Sequence, residues 1–394
     1  MASRLCIADL AVADGTSDHL HLAMAVLVDG ERIAWLGPAD AADTTDAEVI
    51  DGGGATLIPA LVDAHSHLSG PGGSHWIERF TDPPARLHQV GRDNARRLVQ
   101  GGILWARDVG APSPAGRAIN LELRDALVGQ LGQPYIRAAG AWLAKTGFLR
   151  PLTIEVDDGQ GLLEAALGQL ALGADFVKIM LDGPGGDQTA PFSVDEVAAV
   201  VKAVHDRGRR ITAHATIHDG ARVAAAAGVD SVEHGFAIDN GIAATMVANH
   251  VALVSTLSVF PSWESFARTT RVERYTSEAG RRRVAERRER AFAAIQAARR
   301  AGVRIASGSD FGGGSVRAGH LAWEVELLVQ AGLEPWEALA AATWRGGDLL
   351  GEPHAGRIEP GGPADFVLVH GDPLSDPSAL WRVWSVYQRG QRVA

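Results

Sequence analysis

One cysteine, Cys6, is all the thiol chemistry this chain possesses. That excludes an internal disulfide framework and any cysteine-built zinc site. Lysine is nearly as scarce, with Lys145, Lys178 and Lys202 the only three. No apolar run reaches the roughly 18 residues that a membrane span needs. The N-terminus, Met1-Ala2-Ser3-Arg4-Leu5, lacks the apolar core and cleavage site of a secretory signal, so a cytoplasmic protein is expected. Basic residues are outnumbered 37 to 47, for a formal charge of −10; the basic footprint of a nucleic-acid binder is missing. What remains is an ordinary globular composition, 46% hydrophobic and 21% charged. At 394 residues it is long enough to bury a large core.

Both chain ends read as β structure. Val26-Leu27-Val28, Asp29-Gly30 and Ile33-Ala34-Trp35-Leu36 form a hairpin pattern, because Asp-Gly accepts the positive φ of a tight turn. Asp365–Val369 and 383–387 repeat the pattern at the other end. This split predicts a small β-sandwich domain made from both termini, 1–57 plus 359–394, around an inserted domain over 58–358. The insert alternates apolar runs with Ala-rich helical stretches such as 194–207, 219–227 and 336–343. Eight strand candidates lie at 58–63, 103–109, 135–141, 176–181, 210–215, 231–234, 251–257 and 304–309. Apolar strands alternating with helices predict the α/β class and a parallel sheet, here a (β/α)8 TIM-type barrel.

Chemistry in such a barrel sits at the C-terminal ends of the strands. The first strand runs into His65-Ser66-His67; residues two apart share a face in extended chain, so both imidazoles can reach one metal. The fourth carries Lys178, the fifth ends at His214, the sixth at His234 and the eighth at Asp310. Each has a plainer reading. A second His-X-His, His19-Leu20-His21, lies in the N-terminal β region with no matching ligands. His214 or His234 alone reads as a hydrogen-bonded core residue, and Asp310 as a helix cap. Lys178 sits among large apolar residues, where a buried ammonium needs a salt-bridge partner or a chemical modification.

Taken together, His-X-His after strand one, Lys after four, His after five, His after six and Asp after eight resemble the ligand order of the amidohydrolase superfamily. Leu57–His67 looks like its entry motif, and Gly361–Val367 through Gly371-Asp372-Pro373 like its closing β segment. Gly173–Met180, Ser231–Gly235 and Arg107-Asp108-Val109-Gly110 resemble the prolidase-like, imidazolonepropionase-related group. The resemblance implies a binuclear hydrolase with two divalent ions, Zn²⁺ by ligand type. His65, His67 and Asp310 would hold one ion, and His214 and His234 the other. Lys178, carboxylated by carbon dioxide to N6-carboxylysine, would bridge them. It further implies a metal-bridging hydroxide that attacks an amide C–N bond, with Asp310 as general base and then acid. The substrate would be a small molecule: an N-acyl amino acid, a dipeptide or a cyclic amide. Relatives also assemble as homo-oligomers.

Two departures bear on the substrate. Relatives often carry Gly-Gly-His-Gly after strand three, where this chain has Trp142–Leu149; a tyrosine often follows the strand-five histidine, where this chain has His214-Ala215-Thr216-Ile217-His218. Lys145, Trp142, Phe148, His218 and Phe311 are therefore the candidate substrate contacts, and His75, in a glycine-rich loop, a further one. Residues 268–300 hold eleven arginines, read as a solvated helix face or as a lid or contact for an acidic substrate. The same site would serve a lactone, carbamate or phosphoester hydrolase, and the fold alone a non-catalytic interaction protein.

Overall fold

The computed structural model describes residues 4–267 and 270–394. Residues 1–3, and 268–269 at the start of the arginine-rich stretch, lie outside the described residues. Strands β1 (Arg4–Val12), β2 (His21–Asp29), β3 (Arg32–Pro38), β4 (Ala47–Asp51) and β5 (Thr56–Pro59) open the chain. β2 and β3 pair as the hairpin the sequence predicts, but Asp29 is still paired with Arg32 and the two-residue turn is Gly30-Glu31, one position later than expected, with Gly30 at φ +58°.

Eight strands follow in parallel order: β6 (Leu61–Ser66), β7 (Ile103–Asp108), β8 (Tyr135–Ala138), then, after two short strands β9 (Leu143–Lys145) and β10 (Ile154–Val156), β11 (Phe176–Met180), β12 (Arg210–Ala215), β13 (Ser231–His234), β14 (Ala252–Ser255) and β15 (Ile305–Ser307). β6-β7-β8 form one parallel sheet, and β11 to β15 form another in chain order, with β9 beside β11 and β10 on the outer side of β9. Backbone bonds cross both seams. Asp175 N–H donates to Ala138 O at 2.9 Å between β8 and β11; Asp310 N–H donates to His65 O at 2.8 Å and His67 N–H to Phe311 O at 3.0 Å between β15 and β6. Helices fill the connections because their apolar faces match. Val194–His205, for example, is closed by a Ser193/Glu196 capping box and buries Val197, Val200, Val201 and Val204.

The chain closes with β16 (Phe366–Val369), β17 (Val383–Gln388) and β18 (Gln391–Arg392). β16 pairs with β5, so all eight terminal strands join in one hydrogen-bonded sheet rather than two separate ones. Ile33 from β3 and Tyr387 from β17, far apart in strand order, share one apolar core with Ile7, Val26, Leu57 and Phe366; the sheet curls around that core. The strand candidate at 58–63 divides at Ala60. Ala60 N–H still donates to Asp365 O, while Leu61 N–H donates to Gly102 O, so the chain changes sheets there.

Candidate metal centre

The C-terminal ends of β6, β11, β12, β13 and β15 bring the predicted ligands together. β6 buries His65 and His67, at 1% and 4% exposure. Each ring is fixed through Nδ1: His65 to Glu233 Oε2 at 2.5 Å, His67 to Gly110 O at 2.7 Å. With Nδ1 donating, each Nε2 presents a lone pair. Those two Nε2 atoms lie 3.5 and 3.4 Å from Asp310 Oδ1. His65, His234 and Asp310 each place a ligand atom within 4.8 Å of the other two. His234 is oriented by Thr256 Oγ1, 2.8 Å from its Nδ1. His214 is held through Nε2 by Asp182 Oδ2 at 3.1 Å, and its ring centroid lies 4.5 Å from that of His234.

The backbone is bent to make this convergence. His234 and Asp310 have φ of +70° and +50°, a left-handed conformation that costs non-glycine residues about 1–3 kcal/mol and clusters at functional sites. Gly313 packs directly on the ligands; a Cβ there would meet His67 Nε2 at 2.4 Å and Asp310 Oδ1 at 2.7 Å. No side chain fits.

Electrostatics keep His65 and His234 neutral. Burial, then the Lys178 charge, pushes His65 down to about 4; burial and the neighbouring cationic groups hold His234 well below its usual range. Neutral imidazole is the form that binds a metal. Burial opposes ionisation of Glu233, but Arg107 and His65 hold it well below the carboxylate range. Arg107 donates to Glu233 Oε1 at 2.9 Å and to Ser231 Oγ at 3.1 Å. Burial opposes ionisation of Asp310 too, but its neighbours His67 and His65 bring it below the usual carboxylate range.

Lys178 is 1% exposed, and its Nζ has no hydrogen-bond partner among the described residues. The plainer alternative, a salt bridge across the mouth, has no partner there, although Glu233, Asp310 and Asp182 all act on its charge. Burial brings the amine down to about 8. An amine near 8 is partly unprotonated at neutral pH and nucleophilic.

The candidate substrate contacts divide. Trp142 lies against His67 with centroids 5.3 Å apart, and Phe148 against His214 at 6.0 Å. Both belong to an apolar cluster with Phe80, Leu152, Met180 and Trp76. Phe311 is fully buried in the main core; it offers the site its carbonyl rather than its ring. His218 is exposed and pairs with Asp239 at 3.0 Å. Lys145 bonds the Asp157 carbonyl and faces Phe192. His75 directly precedes the short helix Trp76–Arg79. His19 and His21 lie on the surface, outside the site. Sequence reasoning gave no role to Glu233, Arg107, Asp182 and Thr256, which orient the ligands; the signal for Glu233 and Arg107 was a charge inside an otherwise apolar strand.

The amidohydrolase family model matches residues 56–393. The chain belongs to that family. Amidohydrolases are generally metal-dependent, and the His/Asp cluster is where this amidohydrolase gathers metal-ligating atoms. A protein of Mycobacterium tuberculosis is 30% identical over 99% of this chain and 96% of its own length. Imidazolonepropionase of Anaeromyxobacter dehalogenans is 29% identical over 87% of this chain and 83% of its own. The solved structure of a Xaa-Pro dipeptidase with methionine in its active site is 26% identical. It superposes with a TM-score of 0.85, covering 99% of both chains. The amidohydrolase-fold likeness thus spans the whole chain.

Proposed function

We propose that this amidohydrolase is a binuclear metal-dependent enzyme that hydrolyses an amide C–N bond in a small substrate. In this reading the eight parallel strands close as a (β/α)8 barrel over 58–358, and the curled sheet of 1–57 and 359–394 is a small sandwich domain. One observation carries the chemistry: the Lys178 amine is buried, has no hydrogen-bond partner among the described residues, and is lowered toward neutrality in the field of His65, His234 and Asp310. Such a group fits a lysine that is modified rather than paired. Its unprotonated Nζ adds to carbon dioxide, releases a proton and becomes a carbamate with two oxygens to share between ions.

The donor set fits two divalent cations, Zn²⁺ by ligand type. His65, His67 and Asp310 would hold one, His214 and His234 the other, with carboxylated Lys178 between them. When bound, such a pair acidifies a shared water and polarises a carbonyl. The chain's own residues do the rest. Glu233, Gly110 and Asp182, which can only accept, set the tautomers of His65, His67 and His214, and Thr256 holds the ring of His234. Asp310 keeps Oδ1 toward His65 and His67, and its other oxygen, Oδ2, is the atom that takes a proton and returns it to the leaving nitrogen. Trp142, Phe80 and Phe148 form an apolar wall beside these groups and keep water away from the reacting atoms.

The test joins metal analysis to a substrate panel. About two metals per chain, and turnover of N-acyl amino acids, dipeptides or cyclic amides, are expected; D310N retains metal and loses turnover. Lactones or aryl phosphotriesters turned over in preference would replace the amide reading. A chain that binds less than about one metal and turns over nothing would remove the enzyme reading.

A further inference from the structure

A cavity of about 270 Å³ opens at the end of the parallel strands opposite the candidate ligands. Its lining includes Phe176 and Arg210, the first residues of β11 and β12, with Gly208 and Arg209 just before β12. Leu349–Glu352, where the helix Trp344–Leu350 closes, form another side. His214 lies four residues further along β12 than Arg210, about 13 Å away at roughly 3.3 Å per residue. The cavity is therefore separate from the candidate metal centre. Four guanidinium groups line it, those of Arg107, Arg137, Arg209 and Arg210, against two carboxylates, Asp175 and Glu352.

Both carboxylates are already engaged. Glu352 Oε1 accepts from Arg137 Nε at 2.8 Å, and Asp175 Oδ2 from Arg124 at 2.7 Å and from the Ala138 N–H at 2.9 Å. Arg107 is 3% exposed, pairs with Glu233 at 2.9 Å and lies over the Phe176 ring at 4.5 Å; it is a fixed wall. Arg210 and Arg209 are left. Arg210 donates only to the Asp348 and Leu349 carbonyls. Gly351 makes room for it, since a Cβ there would meet its guanidinium at 3.2 Å. Arg209 is exposed, and its side chain forms no hydrogen bond or ion pair among the described residues. The carboxylates that act on Arg210 from outside the cavity are occupied as well: Asp230 by His205 and the Ile211 N–H, Asp348 by Arg357. Two positive charges face the cavity without a partner of opposite sign.

We infer that this cavity binds a small dianion through Arg209 and Arg210. A phosphate monoester and a short dicarboxylate share the chemistry it asks for, two negative charges carried on oxygens. A guanidinium fork gives such oxygens paired, charge-assisted bonds. The cavity lies at the lower edge of the range for small-molecule sites, roughly 300–1,000 Å³, which suits a molecule of a few carbons rather than a macromolecule. The inference does not depend on the hydrolase reading.

The experiment uses the metal-loaded full chain, wild type, R209Q and R209E, with thermal midpoints checking that each is folded. Titration calorimetry follows inorganic phosphate and succinate, with succinamide as the uncharged control. Phenylglyoxal modification, mapped by peptide mass spectrometry, locates the bound ion. Wild type should bind phosphate or succinate with a Kd of about 1 mM or tighter, and not succinamide. Saturating ion should slow modification of Arg209 about tenfold and leave exposed Arg86, early in the helix Pro84–Gln100, unchanged. R209Q should weaken binding about tenfold and R209E further. Preference for phosphate assigns the phosphate chemistry and preference for succinate the dicarboxylate; either supports the site. Affinity that is equal in wild type and R209E, or heat of binding without protection of Arg209, places the ion elsewhere, such as on the metals, and overturns the inference. Binding weaker than about 1 mM overturns it too.

Discussion

The chain contains two His-X-His pairs, and they could hardly be placed more differently. His19 and His21 flank the start of β2 on the surface; His19 is 79% exposed, and its Nδ1 pairs with Asp18 at 2.5 Å. His65 and His67 end β6 in the interior, where Glu233 and the Gly110 carbonyl fix one nitrogen of each ring and Asp310 faces the other. Spacing is identical in the two pairs, so spacing is not what makes a site. A site needs burial that takes the imidazoles out of bulk water, an acceptor that fixes each tautomer, and further candidate ligands delivered by other strands. Only the inner pair has all three.

The sharpest way to break the comparison is to strip the inner pair of the bridging group proposed for it. K178A should lose on the order of a thousandfold in kcat and about one metal per chain, measured by turnover and elemental analysis. Short carboxylic acids that replace the carbamate should partly restore both. Full activity in K178A would mean that the inner pair works without the bridge.

Next comes the orienting carboxylate. E233Q keeps the shape but offers Arg107 no counter-charge and His65 a weaker acceptor. Metal affinity, read by chelator competition, should fall about 10- to 100-fold. An unchanged affinity would show that burial alone suffices. Removing the Thr256 hydroxyl is a milder version of the same question. T256V deletes one neutral hydrogen bond to His234, worth about 0.5–1.5 kcal/mol, and should weaken metal binding by about three- to tenfold in the same competition assay.

These differences in effect track what was legible in the sequence. The candidate ligands were legible because they obey a local rule: a polar residue closing an apolar strand of a parallel set stands at the chemical end. Their orienting partners were not, since that depends on register between distant strands. Arg107 meets Glu233 across 126 residues, and Thr256 meets His234 across 22; no single segment announces either pairing. The eight strand positions were likewise visible, but not the change of sheets at Ala60, where an unbroken apolar run serves two different partners. Among the candidate substrate contacts, Trp142 and Phe148 lie against ligand rings, whereas His218 faces Asp239 on the surface and Phe311 is core. All four follow a strand, and only the packing of the loops separates them.

The outer pair supplies the smallest expected effect and the cleanest control. Replacing both His19 and His21 with alanine removes two imidazoles at the same spacing as the inner pair, from a strand whose buried residues begin only at Ala25. The lost contact is a surface ion pair with Asp18, of the kind that contributes little to stability because water screens it. Activity and metal content should stay within about twofold of wild type, and the thermal midpoint should move by a degree or so. A large loss of metal in this double variant would place a centre on the small β sheet and reverse the contrast between the two pairs. A loss of stability alone would leave the inner site as argued and show that β2 needs its exposed end.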